Sequence, residues 1–205
     1  AEVNTALYNP GGGGIVSTAA IKFGGSNGSG NNNSVEVWNG SSWTEVNEIN
    51  TARRGFGSFG SSTSAIGAGG YSTTTVNNVE QWDGTNWTEI AELNAANTDS
   101  YGAGADSTAG IIFGGGSPHK ATTEQWDGTS WTEVSDLNLA RQFLDGAGLS
   151  STLALAFGGE NPPPNTNDTE AWNGTSWTEV TNLPSGRAIG SGGGTGLSCL
   201  SSAFQ

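Results

Sequence analysis

The chain has 205 residues, with 34 glycines, six prolines and no methionine; it must turn often, and its 33% hydrophobic content, eight tryptophans included, is spread thinly. Nineteen acids against six bases leave a net charge of −13, which repels phosphate backbones and anionic lipid surfaces and argues against nucleic-acid and membrane partners. No stretch approaches the roughly 20 apolar residues of a membrane span, no secretory leader is visible, and the opening Ala1 suggests a processed or excised chain.

In chain order, the first predicted elements are a glycine-rich run at 11–14 and the short apolar block STAAIKFGG from Ser17, read as an inner pair of strands. A variable loop at 26–34 follows. Residues 34–50, SVEVWNGSSWTEVNEIN, then read as two strands joined by a tight Asn-Gly turn, favoured because both residues can take positive φ. Both blocks recur. The hairpin returns at 78–94, 122–138 and 168–184, with its first tryptophan at Trp38, Trp82, Trp126 and Trp172 and its second at Trp43, Trp87, Trp131 and Trp177. The apolar block returns at Ser62, Ser107 and Ser151, and a fifth copy, SCLSSAF, begins at Ser198.

Self-similarity at this period predicts an all-β propeller of four-stranded antiparallel blades in one domain, 1–205. Its units run at about 1–47, 48–91, 92–135 and 136–181, with a partial one at 182–205. Five inner hairpins suggest five blades, the last incomplete; four is the alternative count. Glycine interrupts every candidate helical period.

The units resemble the kelch repeat: Gly69-Gly70, then Trp82, Asp83-Gly84 and Trp87, with Arg53, Arg141 and Arg187 opening later units. Tryptophan stands where that family usually has tyrosine, and Asn97 stands where arginine is expected. The pattern W[ND]G[TS][SN]WTEV is similar to kelch-like repeats of bacteriophage virion proteins, especially marine ones. That likeness implies a fibre, appendage or surface component, located on a virion or cell surface.

Glu36, Glu80, Glu124 and Glu170 recur in every unit, so they read as structural carboxylates bonding loop amides rather than as catalytic acids with divergent environments. Glu45, Glu89, Glu133 and Glu179 read as exposed charges that discourage edge pairing. The candidate ligand-binding residues are Trp43, Trp87, Trp131 and Trp177, able to stack on sugars, and Arg53, Arg141 and Arg187, able to ring the channel mouth and grip an anion. Against this stands packing of the tryptophans between blades and pairing of each arginine with a glutamate. Cys199 and His119 are each alone, which excludes an internal disulfide and a Cys/His metal site, and no catalytic residue or cofactor is expected. His119 reads as a solvated loop residue and Cys199 as a strand filler.

The functional expectation is a non-enzyme, a recognition module binding a host-surface glycan or protein through its variable loops at 26–34, 71–77, 116–121 and 160–168. A structural virion decoration, docked on other virion or surface proteins or on a second copy through an open blade edge, is the alternative. A propeller enzyme would need unlike polar residues that break the repeat, and only Asn97, His119 with Lys120, and Pro162–Pro164 do so visibly.

Overall fold

A computed structural model describes residues 1–116, 118–161 and 165–188. The chain folds into four antiparallel sheets, each a run of four consecutive strands. The first blade is β1 (Gly11–Val16), β2 (Ala19–Phe23), β3 (Val35–Trp38) and β4 (Trp43–Val46); the second is β5 (Gly57–Ser61), β6 (Ser64–Ala68), β7 (Val79–Trp82) and β8 (Trp87–Ile90). The third is β9 (Tyr101–Asp106), β10 (Ala109–Phe113), β11 (Thr123–Trp126) and β12 (Trp131–Glu133); the fourth is β13 (Asp145–Ser150), β14 (Leu153–Phe157), β15 (Thr169–Trp172) and β16 (Trp177–Val180). The strands β1, β5, β9 and β13 pack side by side as the inner wall of a propeller-like arc, and among the described residues no comparable contact returns β13 to β1. Four blades are therefore described. The incomplete fifth blade expected at 182–205 falls mostly on 189–205, outside the described residues, as does Cys199.

Glycine lets the inner strands converge. A Cβ on Gly13 would stand 2.7 Å from the Gly60 carbonyl oxygen, and one on Gly102 would stand 2.5 Å from that of Ser58, so neighbouring blades meet backbone to backbone. Further out, aromatic rings fill the seams. Phe23 meets Trp87 edge-on at 4.7 Å between centroids, and Phe113 meets Trp177 likewise at 4.8 Å, each phenylalanine touching the second tryptophan of the following blade. In the second blade Ala68 occupies the phenylalanine position, and Phe59 of β5 reaches Trp131 instead, at 6.4 Å, over the bare backbone of Gly104 and Gly110.

The outer hairpin departs from expectation in one respect. Trp38 pairs with Trp43 and Trp82 with Trp87, leaving loops of four residues rather than two. Only glycine takes positive φ, at 94° in Gly40 and 95° in Gly84. The residue before it instead folds its side chain over the turn: Asp83 Oδ1 accepts the N–H groups of Thr85 and Asn86 at 2.8 Å each, and Asn39 Oδ1 those of Ser41 and Ser42 at 3.0 Å. Each first tryptophan then donates its indole N–H to an inner-turn carbonyl, Trp82 to Ser62 at 3.0 Å and Trp126 to Ser107 at 2.9 Å. Trp82→Ala is expected to cost about 3–5 kcal/mol, and Trp38→Ala, at the partly exposed end of the arc, less than half as much, measured by urea unfolding midpoints.

Candidate functional site

The segment that enters each blade crosses it at the end where the variable loops emerge, and a buried glutamate of the third strand holds it there. Glu80 Oε2 accepts the backbone N–H and the side-chain amide of Asn50 at 2.7 and 2.9 Å, and Glu170 does the same for Asn138 at 2.7 and 2.7 Å. The expectation that these repeated glutamates bond loop amides is met. Glu45, Glu89, Glu133 and Glu179 are exposed.

Arg53 and Arg141 do not ring the mouth. Both are fully buried, donating to Glu80 and Glu170 at 2.8 Å and to strand-end carbonyls, Asn78 and Asp168, at 2.8 Å each. Burial pulls both guanidinium pKa values down, and the paired carboxylates push back. Arg187 is exposed and donates to Ser185 Oγ at 3.2 Å. Trp87, Trp131 and Trp177 are buried in the seams between blades, and Trp43 is partly exposed on the flank of the first blade that no other described blade covers. The arginine position is taken by Leu7 in the first unit and Asn97 in the third. The chain's two lysines lie in those same units: Lys22 bonds Glu36 at 2.8 Å, and Lys120 lies near enough to Glu124 to feel its charge. Although burial alone would raise it, the Lys22 ammonium and the N–H groups of Asn4 and Thr5 hold the Glu36 carboxyl below its ordinary range.

What lines the mouth is a different column of the repeat. Asn9, Gly55, Asp99 and Phe143 occupy equivalent places with φ of 48°, 69°, 54° and 50°. Each after Asn9 donates its N–H to the carbonyl of the one before: Gly55 to Asn9 at 2.9 Å, Asp99 to Gly55 at 2.8 Å and Phe143 to Asp99 at 3.2 Å. A phenylalanine in the left-handed region is strained, and such strain concentrates at working surfaces. These four residues crown a cavity of about 390 Å³ along the axis, walled by inner-strand glycines together with Ser58, Ser100 and Tyr101. The volume is within the usual range of small-ligand sites, about 300–1,000 Å³.

The variable loops are stitched to this mouth. The residue preceding each crown position bridges the first residue of a loop, Tyr8 with Ser26, Arg54 with Tyr71 and Gln142 with Glu160, while in the third blade the Gly116 N–H reaches the Thr98 carbonyl at 2.8 Å. Two loops also join each other: Asn31 donates to the Tyr71 carbonyl at 2.9 Å and accepts from Arg54 Nη1 at 2.7 Å, and the Arg54 guanidinium lies 4.6 Å above the Tyr71 ring. Tyr8 stands out from the rim, 71% exposed.

Two acids break the fourfold pattern. Burial raises the Asp99 carboxyl above its ordinary pKa against the pull of the Thr98 hydroxyl and Arg54. Asp145, whose carboxyl accepts, among the described residues, only the N–H of Gly146, is pushed up to about 6 by burial, and Tyr101 is raised above its ordinary value by burial and, secondarily, by the nearby Asp145 charge. His119, expected to be solvated, is half-buried, and its Nε2 is enclosed without a partner among the described residues. Among the described residues no three His, Cys, Asp or Glu side chains form a group that could hold a metal ion. No protein-family model matches the chain, and no curated protein matches it.

Arg141→Ala leaves Glu170 buried without its counter-charge and is expected to cost about 3–5 kcal/mol, whereas Arg187→Ala stays within about 0.5 kcal/mol, both read from denaturant unfolding. Because the native state holds the Asp145 proton more tightly than the unfolded chain, its contribution is full below pH 3.8 and is lost as pH rises through about 6. Asp145→Asn is therefore expected to gain on the wild type by about 1–2 kcal/mol between pH ~4 and ~7, after discounting for solvent screening, in melting curves recorded across that interval.

Proposed function

We propose that the chain is a non-enzymatic recognition module, a kelch-like propeller of the kind resembled by phage fibre or appendage proteins, which binds a host-surface glycan at the loop-bearing mouth. The observation that carries this reading is the stitching of each described loop onto a rigid main-chain rim, which presents variable side chains around one cavity. A neutral sugar fits the chemistry there: the exposed Tyr8 ring offers a stacking face, and Asn31, Arg54, Tyr71 and Gln142 offer hydrogen-bonding groups at fixed spacing. Binding is favoured over catalysis because Asp99, in the segment leading into β9, and Asp145, at the start of β13, belong to different blades and the buried Ser100 hydroxyl has, among the described residues, no partner that would activate it.

The alternative, a structural virion decoration, draws support from the opposite end of the channel. There Ile15, Val16 and Leu153, at the inner-strand turns, are 41%, 55% and 42% exposed and offer an apolar seat for a neighbouring protein.

Binding of the labelled wild type to an array of neutral and acidic surface oligosaccharides, and to intact candidate host cells, tests the first reading. Tyr8→Ala combined with Tyr71→Ala is expected to weaken binding about tenfold or more at an unchanged melting temperature. Unchanged binding by that variant, or binding abolished by Ile15→Ser with Leu153→Ser instead, would favour the structural reading.

A further inference from the structure

The dipeptide Asn-Gly occurs three times, at 27–28, 39–40 and 173–174, and the fold gives its copies unequal surroundings. All three asparagines are exposed. In each, the side-chain oxygen accepts two backbone N–H groups from just beyond the glycine: Asn39 Oδ1 those of Ser41 and Ser42 at 3.0 Å each, Asn173 Oδ1 those of Thr175 and Ser176 at 2.9 and 3.0 Å, and Asn27 Oδ1 those of Ser29 and Gly30 at 2.9 and 3.0 Å. Asn39 has a third donor, the Ser41 hydroxyl at 2.9 Å. The glycine nitrogens differ as well. Gly40 and Gly174 donate to no acceptor among the described residues, whereas the Gly28 N–H donates to Ser26 Oγ at 3.2 Å.

These contacts bear on a reaction the dipeptide carries within itself. The backbone nitrogen that follows an asparagine can attack its Cγ, and negative charge then develops on Oδ1. Donors already aimed at that oxygen lower the barrier, as in an oxyanion hole. A glycine nitrogen whose proton is held by another group is the poorer nucleophile. The repeat also shows what the product looks like in place. Asp83 and Asp127 occupy the same position in the second and third blades, and Asp127 Oδ1 accepts the N–H groups of Thr129 and Ser130 at 2.8 Å each, as Asp83 does those of Thr85 and Asn86. Those N–H groups hold both carboxyls below their ordinary range, so the turn favours the charged group.

We propose that Asn39 and Asn173 are self-modifying sites, at which the folded turn converts asparagine to aspartate of normal linkage. At the first, Gly40 N gives its proton to solvent hydroxide and bonds to Cγ; the Cγ–Nδ2 bond breaks, and ammonia leaves with a proton taken from water. Water then adds at Cγ of the cyclic imide, whose oxygen the same donors polarise, and the bond from Cγ to Gly40 N breaks, restoring the main chain. Addition at the other carbonyl would leave isoaspartate, with one more main-chain carbon between Trp38 and Trp43, which pair directly. The outcome is one added negative charge at each site and four outer turns of one chemistry. The conversion is independent of what the mouth binds.

The test is ageing of the full chain in mildly alkaline buffer, folded and in urea, followed by peptide mapping with electron-transfer fragmentation, which separates aspartate from isoaspartate. In the folded chain, aspartate is expected first at 39, next at 173 and last at 27, with normal linkage in excess at 39 and 173; in urea the three sites are expected to converge in rate and isoaspartate to prevail. Ser41→Ala removes one donor and is expected to slow position 39 about fivefold, with position 173 unchanged. Asn39→Asp, the product itself, is expected to melt with the wild type. Position 39 reacting no faster than 27, isoaspartate prevailing at 39 in the folded chain, or a Ser41→Ala rate equal to that of the wild type each overturns the proposal.

Discussion

Every blade is fastened to the chain that feeds it by one buried carboxylate. Glu80 accepts two donors from Asn50 and one from Arg53, so the connecting segment is held in the seam by charge-assisted bonds in a low-dielectric setting. A carboxylate there without donors would be costly, and the repeat always supplies some. Where Arg53 and Arg141 lack a counterpart in the sequence, the lysine of the same unit is brought in from another strand or loop, Lys22 from β2 and Lys120 from the loop before β11. In the first unit the ion pair is kept while the residue that provides it moves; in the third, Lys120 donates to the Ala96 carbonyl and reaches Glu124 only through its charge.

The rest of the architecture follows from that fixed entry angle. Once the connecting segment is set, the Gly-Gly pair receives it, with Gly70 N–H on the Asn97 carbonyl and Gly115 N–H on that of Arg141. The inner strand then starts at a set distance from the axis, where glycine alone permits the approach. The same compensation appears among aromatic groups, since Phe59 fills from β5 the space left by Ala68 at the end of β6. A seam can therefore be satisfied from either of two strands.

Much of this was legible in the residues. The recurring tryptophans, the Asn-Gly and Asp-Gly turns and the Ser-Thr-Ala blocks gave the four-stranded unit and its antiparallel order, because strand propensity and turn chemistry repeat in phase. The structural role of Glu36 and its copies was legible too, since a residue present in every unit serves the unit. The mouth was harder to see. Arg53 and Arg141 share a spacing that suits a ring, but spacing does not tell which way a side chain points, and these point into the protein. Asn9, Gly55, Asp99 and Phe143 look unrelated as residue types, and what unites them is a backbone conformation; Gly55, Asp99 and Phe143 each stand 17 residues after the first tryptophan of the preceding hairpin, so aligning on Trp38, Trp82 and Trp126 puts those three in one column as the odd place in an otherwise regular pattern. The Trp turns differ from expectation for a similar reason, as the aspartate or asparagine acts through its side chain and leaves positive φ to the glycine.

The main-chain relay from Asn9 through Gly55 and Asp99 to Phe143 has an implication for how such a surface can diversify. The relay between crowns runs from main chain to main chain, with the Thr98 hydroxyl adding one bond to the Gly55 carbonyl at 3.4 Å, and an amide, a hydrogen atom, a carboxyl and a benzyl group already occupy its four described places. Three of these places already carry side chains on a left-handed backbone and can be rewritten; the glycine place is the exception, since a Cβ on Gly55 would stand 2.6 Å from Asp99 Oδ1 and 2.7 Å from Thr98 Oγ1. The molecule thus separates the grammar of assembly from the vocabulary it displays.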